Sequence, residues 1–162
     1  LKEPSLLPSV MSLDEVKKIL TVMYKGLINN QHTNNYMYKA QTRNIAIVEV
    51  LFSIGMRVSE VCNLNYEDIN LRNGVIRVFG KGSKERIIQI CQSETLSIIR
   101  TYYQSYKQEI GYSLPIFINR LGQRVSTQSV RLMIKSYVKK AGLSKRITPH
   151  LARHTFATTI TS

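Results

Sequence analysis

Four basic side chains have the chemistry that metal-free phosphodiester cleavage requires. Arg57 follows a glycine break, Lys81 lies in a run rich in Gly and Ser, and Arg153 comes one helical turn after His150. The phosphorane-like transition state carries extra charge on its non-bridging oxygens, and a planar guanidinium binds two such oxygens at once. An imidazole relays protons near neutral pH, and a lysine ammonium can protonate a departing alkoxide. These residues predict a phosphoryl-transfer site that still needs a nucleophile.

Taken singly, these residues have simpler interpretations. An arginine that opens a helix is usually a solvated charge, and turn lysines usually only keep a loop soluble. The run GKGSKE over 80–85 is not a P-loop, because the order G-x-x-x-x-G-K-[ST] is absent. His150 and His154 have the spacing of a zinc helix, but Leu151 replaces the glutamate of H-E-x-x-H. We therefore predict no metal site. The simpler interpretation of this spacing is a pair of structural histidines.

Basic charge is concentrated in the last third of the chain. The sequence has 23 Lys and Arg against 10 Asp and Glu, a formal net charge of +13. No acidic residue follows Glu109, whereas these basic residues do: Arg120, Arg124, Arg131, Lys135, Lys139, Lys140, Lys145, Arg146 and Arg153. A polyanion would bind such a surface and release its counterions. Since solvated faces usually mix both signs, the charge favours nucleic acid over solubility alone.

Composition predicts one globular domain. The chain has 162 residues, of which 43% are hydrophobic, enough for a single core. No apolar run approaches the ~18 residues that a membrane span needs, and the first residues lack a signal-peptide pattern. Cys62 and Cys91 have no metal-ligand spacing, so we predict two small buried side chains in a reducing compartment.

Helices dominate the predicted secondary structure. Ser12 and Glu15 form a capping box that begins a helix ending near Lys25, and the polar segment 26–35 predicts a loop. Residues 45–54 are apolar on almost every face, which places the end of the second helix in the core. The further helices are predicted over 36–53, 57–64, 93–109 and 126–140, and from Thr148 onward.

A change to a period of two predicts a small sheet between the third and fourth helices. The short strands are predicted over 68–71, 75–79 and 86–90. Asn73-Gly74 is a strong hairpin signal, and residues 80–85 make the second turn. Residues 115–120 are predicted to be extended. The predicted fold class is α+β, mainly α-helical with a small three-stranded antiparallel sheet.

Three segments resemble, in order, the motifs of one enzyme family, the tyrosine recombinases or phage-type integrases. Residues 51–61 (LFSIGMRVSEV) resemble its first-arginine motif, and residues 75–86 (VIRVFGKGSKER) resemble its β-hairpin lysine motif. Residues 148–158 (TPHLARHTFAT) resemble its H-x-x-R motif. The likeness is closest to the Xer and phage or transposon integrase branch. It implies the DNA breaking-rejoining catalytic-domain fold and a bacterial, cytoplasmic, nucleoid-associated protein.

The resemblance implies a role for each matching residue. Arg57 and Arg153 would clamp the scissile phosphate, and His150 would assist proton transfer. Lys81 would enter the minor groove and protonate the leaving 5′ hydroxyl. Glu60 matches a supporting acid that pairs with the basic residues of the active site.

A second group of basic residues is predicted to contact DNA. Arg131, Lys135 and Lys139 step by four along the helix 126–140, which indicates either a solvated face or a helix that tracks phosphates. Lys84 and Arg86 are predicted as phosphate contacts or strand-end charges. The resemblance implies no metal and no nucleotide cofactor.

The nucleophile departs from the family pattern. The family places a His or Trp and then a tyrosine downstream of the second arginine, whereas all nine tyrosines here lie upstream of His150. This chain is therefore expected to bind DNA without cleaving it. We expect residues 1–11 to be a linker from a missing N-terminal domain and residues 12–162 to be a C-terminally incomplete catalytic domain.

The functional hypothesis is site-specific recombination through a 3′-phosphotyrosine intermediate, on double-stranded DNA and in a homotetramer when full length. One alternative is a short relative that only binds DNA. Another is an enzyme similar to type IB topoisomerases, which is disfavoured because the residues of the motifs are more like those of Xer proteins. A two-metal nuclease is disfavoured because the ten acidic residues form no cluster beyond Glu67-Asp68.

Overall fold

Five α-helices and three short strands make up the part of the chain that the structure describes. The computed structural model describes residues 12–29, 35–80, 82, 84–110 and 114–143. The helices are α1 (Leu13–Asn29), α2 (Asn35–Glu49), α3 (Val58–Cys62), α4 (Ser93–Ile110) and α5 (Thr127–Lys140). The strands are β1 (Ile69–Asn70), β2 (Val75–Phe79) and β3 (Glu85–Gln89). The predicted fold class is confirmed, while the predicted linker at 1–11 and the helix from Thr148 lie outside the described residues.

Helix α1 begins as the sequence predicts but ends later. Ser12 Oγ accepts from the backbone N–H of Glu15 at 3.2 Å, and the Glu15 carboxylate accepts from the N–H of Ser12 at 2.8 Å. The backbone N–H groups of Ser12 and Glu15, which have no partner within the helix, are thereby satisfied. The predicted end at Lys25 is wrong, and so is the loop assigned to the four residues after it. Leu27 packs against the core and extends the apolar stripe for another turn.

The second helix changes its geometry before it reaches the predicted end. It is α-helical to Glu49 and then continues as a π-helical segment, Val50–Ile54. Gly55 ends the segment in the left-handed region at φ 80°, and its N–H donates to the carbonyl of Leu51 at 3.2 Å. The prediction that this stretch is deep in the core is confirmed, since Val50, Leu51 and Phe52 are buried. α3 is shorter than the predicted 57–64.

The sheet is antiparallel in the order β1-β2-β3. β2 and β3 pair from Val75↔Gln89 to Phe79↔Glu85, so β3 begins one residue before the predicted strand. β1 has two residues where four were predicted, and Asn70 Oδ1 accepts from the backbone N–H groups of Arg72 and Asn73 in the turn that follows. Ile76 and Val78 face the core, while Arg77 and Phe79 lie on the exposed face.

The segment between α4 and α5 is bonded to α4 and to the residues that follow α3. Residues 115–120 form only isolated bridges, such as Ile118↔Arg124, consistent with the predicted extended piece. The Tyr102 hydroxyl donates to the carbonyl of Ile116 at 2.6 Å and accepts from the N–H of Ile118 at 3.0 Å. Ser126 Oγ caps α5 by accepting from the N–H of Ser129 at 3.1 Å, and Gly142 follows α5 at φ 77°.

The two cysteines differ, which corrects one prediction. Cys62 is buried on α3, where burial raises the pKa of its thiol from 9.0 to about 11. Cys91 is exposed, because it lies in the link between β3 and α4 and not on a face turned to the core.

Within the described ranges, no helix is long and apolar enough to cross a membrane. Those ranges also hold no cluster of three metal-ligating side chains.

Candidate active site

Arg57 lies on a short link whose backbone is held on both sides. The glycine turn precedes it, and Met56 and Val58, its two neighbours, are buried. Its own conformation is extended, at φ −78° and ψ 154°, immediately before α3. The side chain is exposed. The fold therefore fixes the Cα of Arg57 between two core contacts and presents its guanidinium to solvent.

Glu60, one turn along α3, connects the start of this helix to the sheet. Its Oε1 accepts from the backbone N–H of Arg57 at 2.9 Å. The same carboxylate takes a bidentate pair from Arg86 on β3, with Nη1 to Oε2 at 2.9 Å and Nη2 to Oε1 at 3.2 Å. The Glu60 side chain is only 8% exposed. A bidentate, partly desolvated contact of this type fixes both the distance and the relative orientation of α3 and β3.

The β2–β3 hairpin is thereby anchored beside Arg57. Phe79 pairs with Glu85, and the N–H of Gly80 donates to the carbonyl of Lys84 at 2.8 Å. Gly82 adopts φ 73°, with no atom within 4 Å of where a Cβ would lie. The predicted catalytic Lys81 lies between these strands in sequence but outside the described residues. Lys84 is exposed at the base of the turn.

Helix α5 carries the predicted basic face. Arg131, Lys135 and Lys139 are all exposed, while Val130 and Ile134 on the opposite side are buried. α5 packs on α1 and on α3, the helix that Arg57 opens. Arg131 is close enough to α3 for its positive charge to lower the pKa of Cys62, although burial is the larger effect and raises it. The basic face and Arg57 thus belong to neighbouring helices.

Two arginines in the basic last third serve the fold instead. Arg124 donates through Nη1 to the carbonyl of Cys62 at 3.0 Å and through Nη2 to Asn65 Oδ1 at 2.8 Å. It therefore caps the C-terminal end of α3. The guanidinium of Arg120 lies 4.4 Å from the ring centroid of Tyr36. No local signal in the sequence separates these arginines from those on α5, because their partners are 59 to 84 residues away in sequence.

The structure leaves part of the predicted site outside the described residues. It brings Glu60 and Arg86 together at the start of α3 and places Arg57 there. His150 and Arg153 are not among the described residues, so their convergence on Arg57 stays a prediction. The predicted roles of Lys84, Arg86 and the α5 residues as DNA contacts stay predictions as well.

The model of the phage integrase family matches residues 9–162. The chain belongs to the phage integrase family. Its catalytic-domain fold recurs in solved structures of this family. The crystal structure of XerA recombinase superposes with a TM-score of 0.76 at 32% identity, covering 99% of this chain and 51% of that one. A XerH recombinase bound to its difH substrate before cleavage gives a TM-score of 0.75 at 25% identity, covering 99% and 44%.

Curated relatives within the phage integrase family are longer than this chain. A protein of Agathobacter rectalis named tyrosine recombinase is 43% identical over 159 residues, which is 98% of this chain and 51% of that protein. The chain thus spans about half the length of the curated relatives it matches. Its three motif segments all fall inside the region of similarity.

Proposed function

We propose that the whole protein is a site-specific tyrosine recombinase that cleaves and rejoins DNA strands through a 3′-phosphotyrosine. Membership of the phage integrase family supports this, as does the similarity to a protein named tyrosine recombinase. The observation that carries the proposal is the exposed side chain of Arg57. Its backbone N–H is bonded to the Glu60 carboxylate, which also anchors the β2–β3 hairpin through Arg86.

In the proposed reaction, a tyrosine oxygen attacks the scissile phosphorus and the bond to the 5′ oxygen breaks. Arg57 and Arg153 bind the non-bridging oxygens and stabilise the charge that grows on them in the transition state. Lys81 gives its proton to the leaving 5′ oxygen, and His150 assists removal of the proton that the attacking tyrosine hydroxyl loses. Because every tyrosine of this chain precedes His150, we propose that the nucleophile lies downstream of Arg153 in the whole protein.

The proposed partner is double-stranded DNA, bound across the start of α3, the hairpin and the basic face of α5. The similar XerH structure, which is bound to difH substrate, supports DNA as the partner. The excess of basic over acidic residues supplies the long-range attraction. We further propose that the whole protein acts as a homotetramer on paired sites.

The role of Arg57 is testable by substitution in the full-length protein. Arg57→Ala should lower the rate of covalent complex formation by a factor of about 10² to 10³, the usual cost of removing one donor to a transition-state oxyanion. DNA affinity should change little, because many other phosphate contacts remain. The measurement uses duplexes carrying a site selected from a random library, with covalent protein–DNA product resolved on denaturing gels.

Arg72→Ala is the matched control, since it removes the same charge from the exposed turn between β1 and β2. It should cleave at the wild-type rate. Wild-type cleavage by Arg57→Ala would overturn the assignment of Arg57. A wild-type protein that binds the selected site and never becomes covalently attached would favour the DNA-binding alternative.

A further inference from the structure

Glu49 is a buried carboxylate for which the proposed reaction has no use. It is the last α-helical residue of α2 and is 6% exposed. Its Oε2 accepts from the Tyr24 hydroxyl of α1 at 3.0 Å. Its Oε1 accepts from Thr95 of α4 at 3.0 Å and from Ser53 of the π-helical segment at 3.1 Å. One side chain thus joins four structural elements.

All three of these donors are neutral hydroxyls. Burial, together with the nearby Glu49 carboxylate, raises the pKa of Tyr24 above its ordinary value of 10.0, so this hydroxyl remains a donor at neutral pH. A buried carboxylate is costly to desolvate, and well-packed apolar residues often replace buried charges without loss of stability. Stability alone is therefore a weak reason for a carboxylate here. Hydrogen bonds to three hydroxyls are directional, so they specify one arrangement of the elements that carry them.

The location of Glu49 connects this arrangement to Arg57. The π-helical segment begins at the next residue, and its widened turn is followed by Gly55 and then by the link that carries Arg57. If this turn relaxed to α-helix, the chain beyond it would rotate by about 100° per residue of changed register. The Ser53–Glu49 bond spans the segment itself, while Tyr24 and Thr95 hold the same carboxylate against α1 and α4. Single π-helical turns inside α-helices are frequent at functional sites.

We propose that Glu49 is a positioning residue that locks the π-helical segment and thereby sets the orientation of Arg57 toward the scissile phosphate. This proposal rests on the proposed function for its catalytic consequence. Its structural half, the locking of residues 50–57, is measurable without any activity. Glu49 contacts neither DNA nor the reacting atoms in this scheme.

The test compares Glu49→Met with Glu49→Gln in the full-length protein. Methionine keeps the length of the side chain and removes the acceptors, whereas glutamine keeps an oxygen that accepts from Ser53 and Thr95. With Glu49→Met we expect DNA affinity within twofold of wild type and a cleavage rate at saturating DNA at least tenfold lower. Glu49→Gln should recover the rate to within about threefold of wild type. Thr95→Val, which removes one donor and keeps the shape, should show a smaller loss of the same kind.

Thr42→Val is the matched control, because Thr42 is a fully buried polar residue of the same helix whose hydroxyl donates within α2, to the carbonyl of Lys39 at 2.8 Å. It should leave the cleavage rate unchanged. Epistasis provides a second measurement: in an Arg57→Lys background, Glu49→Met should cause no further loss, since the two changes would act through one guanidinium. Additive losses would overturn the proposal.

Hydrogen exchange of full-length Glu49→Met separates failure of this proposal from failure of the proposed function. The N–H groups of Gly55 and Arg57, bonded to Leu51 and Glu60, should exchange at least tenfold faster than in wild type. Unchanged exchange there would overturn the proposal whatever the activity. Faster exchange with no covalent product from any variant, wild type included, would support the locking role and would count against the recombinase assignment. Equal losses of folding, DNA affinity and cleavage in the Met and Gln variants would reduce Glu49 to a structural role and overturn it.

Discussion

At the scale of single residues, the site is organised around a carboxylate and not around the basic residues that the sequence makes conspicuous. Glu60 accepts at once from the backbone of Arg57 and from both terminal nitrogens of Arg86. This arrangement ties the orientation of the hairpin to the residue that is proposed to hold the phosphate. The Glu60 carboxylate takes two N–H groups of Arg86 and offsets its positive charge, so Arg86 is better suited to anchoring than to phosphate binding.

Arg86→Met should therefore leave the salt dependence of DNA binding unchanged and slow cleavage in the full-length protein. If Arg86 contacted a phosphate, the slope of log K against log salt would instead fall by about 0.9. The measurement is fluorescence anisotropy over a series of salt concentrations, paired with a cleavage assay. Glu60→Gln should slow cleavage similarly, and the double variant should be no slower than either single one, since both remove the same contact. A lower slope for Arg86→Met would return Arg86 to the DNA contacts.

At the scale of elements, the short helix α3 owes its position to partners distant in sequence. Five residues are too few to form a stable helix by themselves. α3 has Glu60 at its first turn, Arg124 on its last carbonyls, and α5 packed alongside. Arg57 and the helix that orients it are thus held from three directions.

Arg124→Met should lower the free energy of unfolding by about 1.5–3 kcal/mol, the usual range for hydrogen bonds to charged groups. Arg120→Met is the matched control and should cost only about 0.5–1 kcal/mol, since its guanidinium stacks on an aromatic ring and caps no helix. Urea denaturation followed by circular dichroism gives both values. Equal stabilities of the two variants would contradict the capping role of Arg124.

At the scale of the whole molecule, the distribution of charge decides which face meets a polyanion. The exposed basic residues of α5 lie on a helix packed against α3, and the proposed complex requires this basic face and Arg57 to contact the same ligand. By contrast, Arg100 donates to the backbone carbonyls of Leu71 and Arg72, and Lys39 pairs with Glu109 at 3.5 Å. Net charge alone does not distinguish these positions.

Lys135→Ala combined with Lys139→Ala should reduce the slope of log K against log salt by about 2, since each phosphate contact contributes about 0.9. Arg72→Ala combined with Lys107→Ala removes the same charge from the β1–β2 turn and the end of α4 and should leave the slope unchanged. Anisotropy titrations of random-sequence duplex at several salt concentrations measure both. Equal slopes for the two double variants would mean that α5 is a solvated face, the alternative that its sequence leaves open.

Local patterns in the sequence were enough to predict the starts of α1 and α5, the hairpin β2–β3 and the fold class. Capping boxes, Asn-Gly turns and hydrophobic periodicity involve only a few neighbouring residues, so they can be recognised in the sequence without a tertiary structure. The sequence predicts too early an end for α1, because packing of Leu27 outweighs the local tendency of Gly26 to break a helix. It also predicts that Cys91 is buried, because the average burial of cysteine does not specify the exposure of one residue in a loop.

Residue types and the order of the motifs are enough to predict the candidate side chains for the chemistry, which are Arg57, Lys81, His150 and Arg153. Three assignments depend on contacts that form only when the chain folds: Arg124 caps α3, Glu60 holds Arg86, and Glu49 joins α1, the π-helical segment and α4. The difference lies in the sequence separation of the interacting residues. A motif consists of residues that are neighbours in the sequence, whereas the partners of a carboxylate or a guanidinium can lie tens of residues away and come together only on folding.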